Sequence, residues 1–367
     1  MSRPVLSNRA LNRATLERQL LLRRASMPAI EAVEHLVGLQ AQLPLNPYTA
    51  LWSRLEQFRP EDLSTLLEQR RIVRIALMRS TIHLVSAEDA LSLRPLVQPV
   101  LDAELARHRE YGPPVRDLDL EPVLAFAQAL FSERPRTGPE LRAALASAFP
   151  QADTAALAYA CRNFLPLVQV PPRGLWGRTA QVTTTTTDAW LGRPLSARAT
   201  LDDLVLRYLA AFGPASTADV AAWSRLTGLR EVVDRLRPRL QTFRDEAGRE
   251  LFDLPDAPRP DPDLRAPPRF LPEYDNLLLS HANRSRFYPE RRRQGPVRTP
   301  IHGTVLHDGI VCGVWRIVPD RERKTLEVEC VTRLSKRATA SVEAEGRRFL
   351  RFVTPHGGGD VRVLVAG

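Results

Sequence analysis

The stretch 201–254, LDDLVLRYLAAFGPASTADVAAWSRLTGLREVVDRLRPRLQTFRDEAGRELFDL, decides the fold. Its opening LDDLVLRYLAA places apolar residues at helical spacing. Gly213-Pro214 breaks that helix, and Ser216 or Thr217 can cap a second one, TADVAAWSRL. Thr227-Gly228 makes a tight turn before a third short helix, LREVVDRLRP, which Pro238 ends. RLQTF and ELFDL then alternate as two strands joined by the turn-like DEAGR. Three helices, a Gly-containing turn between the second and third, and a closing hairpin make the winged helix-turn-helix layout. The plain alternative is a three-helix bundle with a stray hairpin.

The same theme recurs upstream. Residues 11–90 read as helices ATLERQLLLRR, AIEAVEHLVGLQAQ, PYTALWSRL and PEDLSTLLEQR, then strand-like IVRIAL and TIHLVS around Met78-Arg79-Ser80. Residues 120–190 read as EPVLAFAQALF, GPELRAALASAF and DTAALAYACRNF, then LVQV, the turn PPRGLWG and the β-branched run QVTTTTTDAW. The copies share a layout, not letters. Downstream, the Pro-dense DAPRPDPDLRAPPRF (256–270) reads as a linker. Beyond it GTVLHDGIVCGVWRIV, KTLEVECVTRL and RRFLRFVTP read as antiparallel strands separated by HDG and PDRERK. The expectation is an α+β chain of three tandem winged helices (8–115, 116–198 and 199–257) followed by a C-terminal β-barrel domain (265–367).

A net charge of +10 and a pI near 10.3 point to a polyanionic partner. Lys324 and Lys336 are the only lysines, so the cations are almost all arginine, as a GC-rich genome favours. That bias explains the choice of Arg but not the excess over acids. Cys161, Cys312 and Cys330 are odd in number and widely spaced, which argues against a disulfide framework or a Cys-x-x-Cys zinc site. The N-terminal MSRPVLSNRALNRATLERQL has no apolar core of signal-peptide length. No run approaches the roughly eighteen apolar residues that span a bilayer. A cytoplasmic, nucleoid-associated protein with no membrane partner is expected.

The His residues show no metal-ligand spacing, and Gly357-Gly358-Gly359 lacks the strand–helix context of a phosphate cradle. Neither a metal nor a cofactor is expected. Arginines in the wings and recognition helices are the candidate DNA contacts: Arg79 in the first unit, Arg173 and Arg178 in the second, Arg225, Arg230 and Arg235 in the third. Arg284, Arg286 and Arg291, Arg292 and Arg293 extend the set into the segment RSRFYPERRRQGP.

Four segments carry a family resemblance: HLVGLQAQLPLNPYTALWSRL, MRSTIHLVSAEDA, FLPEYDNLLLSHANRSR and GTVLHDGIVCGVWR. Together, and in this order, they resemble the AlkZ/YcaQ-type winged-helix DNA glycosylases over about residues 8–355. The resemblance implies three tandem winged helices with a C-terminal β barrel. It also implies excision of N7-alkylated purines and, in the AlkZ branch, unhooking of interstrand crosslinks. That branch serves self-resistance against DNA-alkylating natural products such as azinomycin B. The implied partner is double-stranded DNA carrying alkylated or crosslinked purines. The family's Gln-apolar-Gln signature matches Gln40-Ala41-Gln42, with Ala41 the smallest apolar residue for the middle position. Arg79 and His83 fall in a segment that recurs in the family.

Glutamine is too weak a base to take a proton as Asp or Glu would. An N7-alkylguanine is cationic, however, so breaking its glycosidic bond releases a neutral base that needs no protonation. What remains is to position water at C1′ and stabilise an oxocarbenium-like sugar, which amide oxygens can do. On a regular helix side chains at i and i+2 point about 200° apart. Pro44 biases Leu43 out of the helical region, so the helix is expected to end near Gln42 and let the glutamines converge. An adduct tethered to the other strand suits an open groove rather than a closed flipping pocket. A hairpin and the 284–293 segment would hold the duplex there. The competing expectations are a winged-helix transcription regulator, which usually dimerises, and a non-catalytic DNA-binding protein. No heptad-spaced dimerisation helix is present, so a monomer is expected.

Overall fold

The computed structural model describes residues 4–288, 302–320, 323–354 and 359–365. The chain is a mixed α+β structure in which helices pack on three sheets. No described helix is long and apolar enough to cross a membrane.

The stretch 201–254 folds as its punctuation dictates. Thr200 caps the helix Leu201–Phe212 in a reciprocal box with Asp203, and Ser216 does the same for Thr217–Ser224 with Asp219. Left-handed Arg225 and Gly228 turn the chain into the helix Leu229–Leu236. The antiparallel strands Gln241–Asp245 and Glu250–Asp253 follow, and Val5–Leu6 joins this sheet in parallel beside Gln241–Asp245.

Upstream, six strands form one continuous sheet. Its order is Leu39–Gln40, Ile82–Ser86, Ile72–Ala76, Leu167–Gln169, Thr183–Thr186, Arg136–Thr137. The hairpin Ile72–Ser86 is thus shared, pairing Arg74 with Gln169 and Ile75 with Val168 across to the next unit. The helix expected to run to Gln42 stops at His35. Val37 turns left-handed, Gly38 donates back to the Val33 carbonyl, and Leu39–Gln40 leaves as a strand. Gly38 is required here: its φ is +87°, and a Cβ would lie 2.5 Å from Val85 Cγ1. The first helix also differs from expectation, spanning Asn8–Arg18 from a Ser7 cap.

The C-terminal sheet is open rather than a closed barrel. Its order is Arg269–Leu271, Gly303–His307, Ile310–Asp320, Arg323–Cys330, Gly359–Val365, and its two edge strands do not pair. The segment RRFLRFVTP, read as a strand, lies mostly in the helix Lys336–Val353 instead. Ala338, Val342, Gly346, Phe349 and Leu350 are its buried stripe, which is a helical period, and Ser335 caps it. With a helix intervening, Gly359–Val365 returns parallel to Arg323–Cys330, as a crossover requires. Gly359, the last of the three consecutive glycines, is the first residue of that strand. The presumed linker likewise ends in the strand Arg269–Leu271, whose Phe270 is fully buried.

Residues 29–86 are held between two partners. Their helices pack Tyr48, Leu51 and Trp52 against Phe270 and Phe349 of the C-terminal unit. The hairpin's other side packs Val73, Ile75 and Met78 with Tyr208, Phe212 and Trp223. Buried ion pairs stitch the same junctions. Arg18 meets Asp253 at 2.6 Å, Arg24 meets Glu345 at 2.6 Å, and Arg54 meets Asp275 at 2.7 Å. All three cysteines are free and buried.

Removing one partner of a buried pair strands the other charge in the interior. Asp275→Ala, which leaves the fully buried Arg54 uncompensated, is expected to cost about 3–5 kcal/mol, read as a lowered urea midpoint. A midpoint within error of the parent would refute this assignment.

Candidate active site

The strand Leu39–Gln40 lies against Ile82–Ser86 with Gln40 directly opposite His83. Asn276 fixes its position, accepting from the Gln40 backbone N–H at 3.2 Å and donating to the Gly38 carbonyl at 2.6 Å. Gln40 is buried but opens on a cleft of about 620 Å³ lined also by Arg79, Thr81, Arg225, Tyr274, His281, Asn283, Arg284 and Tyr288. Among the described residues three arginines line this cleft and no carboxylate does.

Arg79 sits at the tip of the hairpin in the left-handed region, which aims its guanidinium back over the sheet. Its Nη2 donates to Gln40 Oε1 at 2.7 Å and its Nη1 to the Trp223 carbonyl. Burial, then the charges of Arg225 and Arg284, pull its pKa down to about 10, so it remains a cation near neutrality. Beneath it His83 is buried. Its Nδ1–H donates to the Thr81 carbonyl at 2.9 Å, which turns the Nε2 lone pair toward Arg79 Nη2 at 3.4 Å. Burial and the Arg79 charge push its pKa down to about 3, so it is a neutral acceptor rather than an imidazolium.

The opposite wall is residues 281–288. Asp219, already the acid of the Ser216 capping box, accepts from the Ala282 backbone N–H at 2.9 Å and so ties this wall to the helix Thr217–Ser224. His281 is buried, its Nε2 at 3.1 Å from the Phe212 carbonyl, and burial followed by Arg286 lowers its pKa to about 3. Arg284 is half-buried in the cleft, and Arg225 is exposed at its lip.

Gln42 does not share this cleft. Ala41 is fully buried and its N–H bonds to the Ile82 carbonyl at 2.7 Å. The chain then bends, and exposed Gln42 lines a neighbouring hollow of about 380 Å³ with Tyr111, Tyr159, Arg162 and Gln169. Its Oε1 lies 3.4 Å from the Ile82 N–H. The glutamines therefore flank the Thr81–Ile82 backbone, each facing its own hollow. Extended backbone at Gln40, rather than a helix end at Gln42, is what separates them.

The remaining candidate arginines disperse. Arg286 is buried, donating to Thr15 Oγ1 at 3.1 Å and to the Pro214 carbonyl at 3.0 Å, so it braces the interior. Arg173 is half-buried with Nη1 on the Ala180 carbonyl, and Arg178 is exposed on the same loop. Arg230 is exposed at the start of the helix Leu229–Leu236, and Arg235 is paired with Asp202. Arg291, Arg292 and Arg293 lie outside the described residues. Tyr274, Asn276, His281, Asn283 and Tyr288 were not singled out from the sequence. They fall in the EYDNLLLSHANRSRFY stretch, whose lack of periodicity hides which polar side chains face inward. Among the described residues no three His, Cys, Asp or Glu side chains cluster to hold a metal.

Both buried histidines bear on pH dependence. The unfolded chain takes up their protons as pH falls through 6.5, while the native chain resists until about 3. Stability is therefore expected to decline as pH drops across that window. Urea midpoints measured near neutrality and near pH 5 should differ less in His83→Gln than in the parent; an equal decline would overturn the assignment.

Comparison with known proteins follows from this architecture. A comparison with curated proteins finds no match. Among solved structures, the chain resembles Streptomyces sahachiroi DNA glycosylase AlkZ with a TM-score of 0.71. The match covers 98% of this chain and 100% of that one at 18% identity, a likeness of fold. A family model described as DNA glycosylase AlkZ-like matches residues 33–352, a span that includes both glutamines, the hairpin and the 281–288 wall. The chain belongs to the AlkZ-like DNA glycosylase family.

Proposed function

We propose that the protein hydrolyses the N-glycosidic bond of cationic N7-alkylated purines in duplex DNA, as a monofunctional glycosylase with Gln40 and Gln42 at its centre. The observation that carries this reading is the makeup of the Gln40 cleft, whose lining among the described residues has three arginines, the two amides of Gln40 and Asn283, and no carboxylate. Such a site offers no carboxyl group to protonate an ordinary purine or to take a proton from water, and burial lowers the basicity of the His281 that lines it. Its chemistry is confined to a base that departs without being protonated, as an N7-alkylated purine does. Gln40 and Gln42 orient water and stabilise the developing oxocarbenium by their amide dipoles. Arg79, Arg225 and Arg284 hold the flanking phosphates.

In this reading residues 8–115, 116–198 and 199–257 act as three winged-helix units that set duplex DNA across the hairpin tip. The C-terminal domain from 265 closes the junction behind them. A groove open on both sides of Thr81–Ile82 leaves room for an adduct still tethered to the opposite strand. Crosslink unhooking, and through it self-resistance to a DNA-alkylating natural product, is the role we assign.

The test is release of 7-methylguanine from alkylated duplex DNA. Gln40→Ala and Gln42→Ala are each expected to lower the single-turnover rate by about 10²–10³ while leaving DNA affinity unchanged. No release by the parent protein, on that adduct or on a crosslink, would overturn the reading. The arginines are tested separately by salt titration. Arg225→Ala and Arg284→Ala should each reduce the slope of log affinity against log salt by about 1, without sequence preference. An unchanged slope would remove them from the DNA contact.

A further inference from the structure

The hollow beside Gln42 has a chemistry opposite to that of the Gln40 cleft. Its walls are largely apolar, including Ile82, Leu141, Leu167 and Val182, and its aromatic side is Tyr111 and Tyr159. These two rings stand 5.0 Å apart and share His108, whose centroid lies 4.7 Å from Tyr111 and 4.5 Å from Tyr159. Among the described residues no carboxylate lines the hollow. The exposed Arg162 guanidinium lies 5.6 Å from the Tyr159 ring centroid, so a ligand cation uses that face by displacing it into solvent.

The charge on the lesion decides which hollow it enters. A nucleotide carrying an N7-alkylpurine has an anionic phosphate on one side of C1′ and a cationic ring on the other. The half-buried Arg79 and Arg284 are the less screened charges, and they attract the phosphate into the Gln40 cleft and repel the ring. Arg142 and Arg162 at the rim of the second hollow are exposed, so solvent screens them and neighbouring phosphates can neutralise them. A volume of about 380 Å³ accepts a purine together with a substituent larger than methyl. We infer that the Tyr111–Tyr159 hollow is the binding subsite for the cationic N7-substituted purine ring, recognised through the tyrosine π faces. This assignment rests on the glycosylase reading for its biological use, but the binding itself does not require catalysis. It makes Tyr159 a specificity-determining residue, because a neutral guanine presents no charge to the ring.

The probe is 7-methylguanosine against guanosine, by equilibrium dialysis with the full chain in mildly acidic buffer, where N1 of the methylated ring keeps its proton. The methylated nucleoside is expected to bind about three- to thirty-fold tighter. Tyr159→Leu and Tyr111→Leu should each reduce that preference, and Tyr159→Phe should keep it, since the ring and not the hydroxyl is invoked. Equal binding of the two nucleosides, or a preference that survives both leucine variants, overturns the subsite. Should Tyr159→Leu fail to fold, Tyr111→Leu and Tyr159→Phe decide the matter. Intact 7-methylguanine release from DNA by both leucine variants, with the parent's preference for 7-methylguanine over unmodified bases, would remove the subsite and leave the glycosylase standing. Nucleoside preference without any release from DNA would do the reverse.

Discussion

The position of Gln40 depends on a buried ion pair formed far from it in the chain. Arg54 and Asp275 are both fully buried, and the guanidinium meets both carboxylate oxygens, at 2.8 and 2.7 Å. Arg54 is held in turn by the Ala50 carbonyl and by Gln19, while Asp275 caps the short helix Asn276–Leu279. With Asp275 fixed, Asn276 falls where it can bond both to the Gly38 carbonyl and to the Gln40 N–H. A buried pair of this kind is a weak source of net stability, because desolvating both ions offsets their attraction. Its geometric demand is strong, since neither ion tolerates the interior without the other. The pair therefore acts as a register pin between the first helical unit and the C-terminal segment.

The same junction gathers charge of one sign. Arg79, Arg225 and Arg284 come from a hairpin tip, the end of a helix and an irregular wall, and they meet in one cleft. Their mutual repulsion is tolerated because Arg225 is exposed to solvent, while Arg79 has Gln40 and the Trp223 carbonyl as acceptors and Arg284 has the His281 carbonyl. A cleft strained in this way is predisposed to an anion. His83 and His281 stay out of this account as charges. Burial next to arginine holds both neutral, so they serve as hydrogen-bonding struts that fix the hairpin tip and the opposite wall.

A shared sheet also changes how the units relate. The hairpin Ile72–Ser86 looks like a terminal wing when its unit is considered alone, yet its outer strand pairs with Leu167–Gln169. Such pairing removes an exposed strand edge and fixes the second unit against the first. Gln42 lines one hollow with Tyr111, Tyr159 and Gln169, and Gln169 is itself a partner in that strand pairing.

Local chemistry made much of this legible from the amino-acid order. Gly213-Pro214 ends one helix, Ser216 caps the next and Gly228 turns into the third, and the hairpin follows at Gln241–Asp253. The arginine excess was visible because residue type alone carries it, whereas Gln40-Ala41-Gln42 stood out only through the family resemblance. The tertiary structure alone decided three matters. It ended the second helix at His35, since close packing of Gly38 on Val85 outweighs the helical pattern of its neighbours. It turned 336–353 into a helix, because the buried stripe from Ala338 to Leu350 has a partner only once the sheet beneath it exists. It also placed Asn276, Tyr274 and Asn283 around Gln40, which no spacing could reveal because their nearness is made by contacts more than two hundred residues apart in sequence. Short-range preferences are written into neighbouring residues; a site assembled across domains exists only when long-range packing brings its parts together.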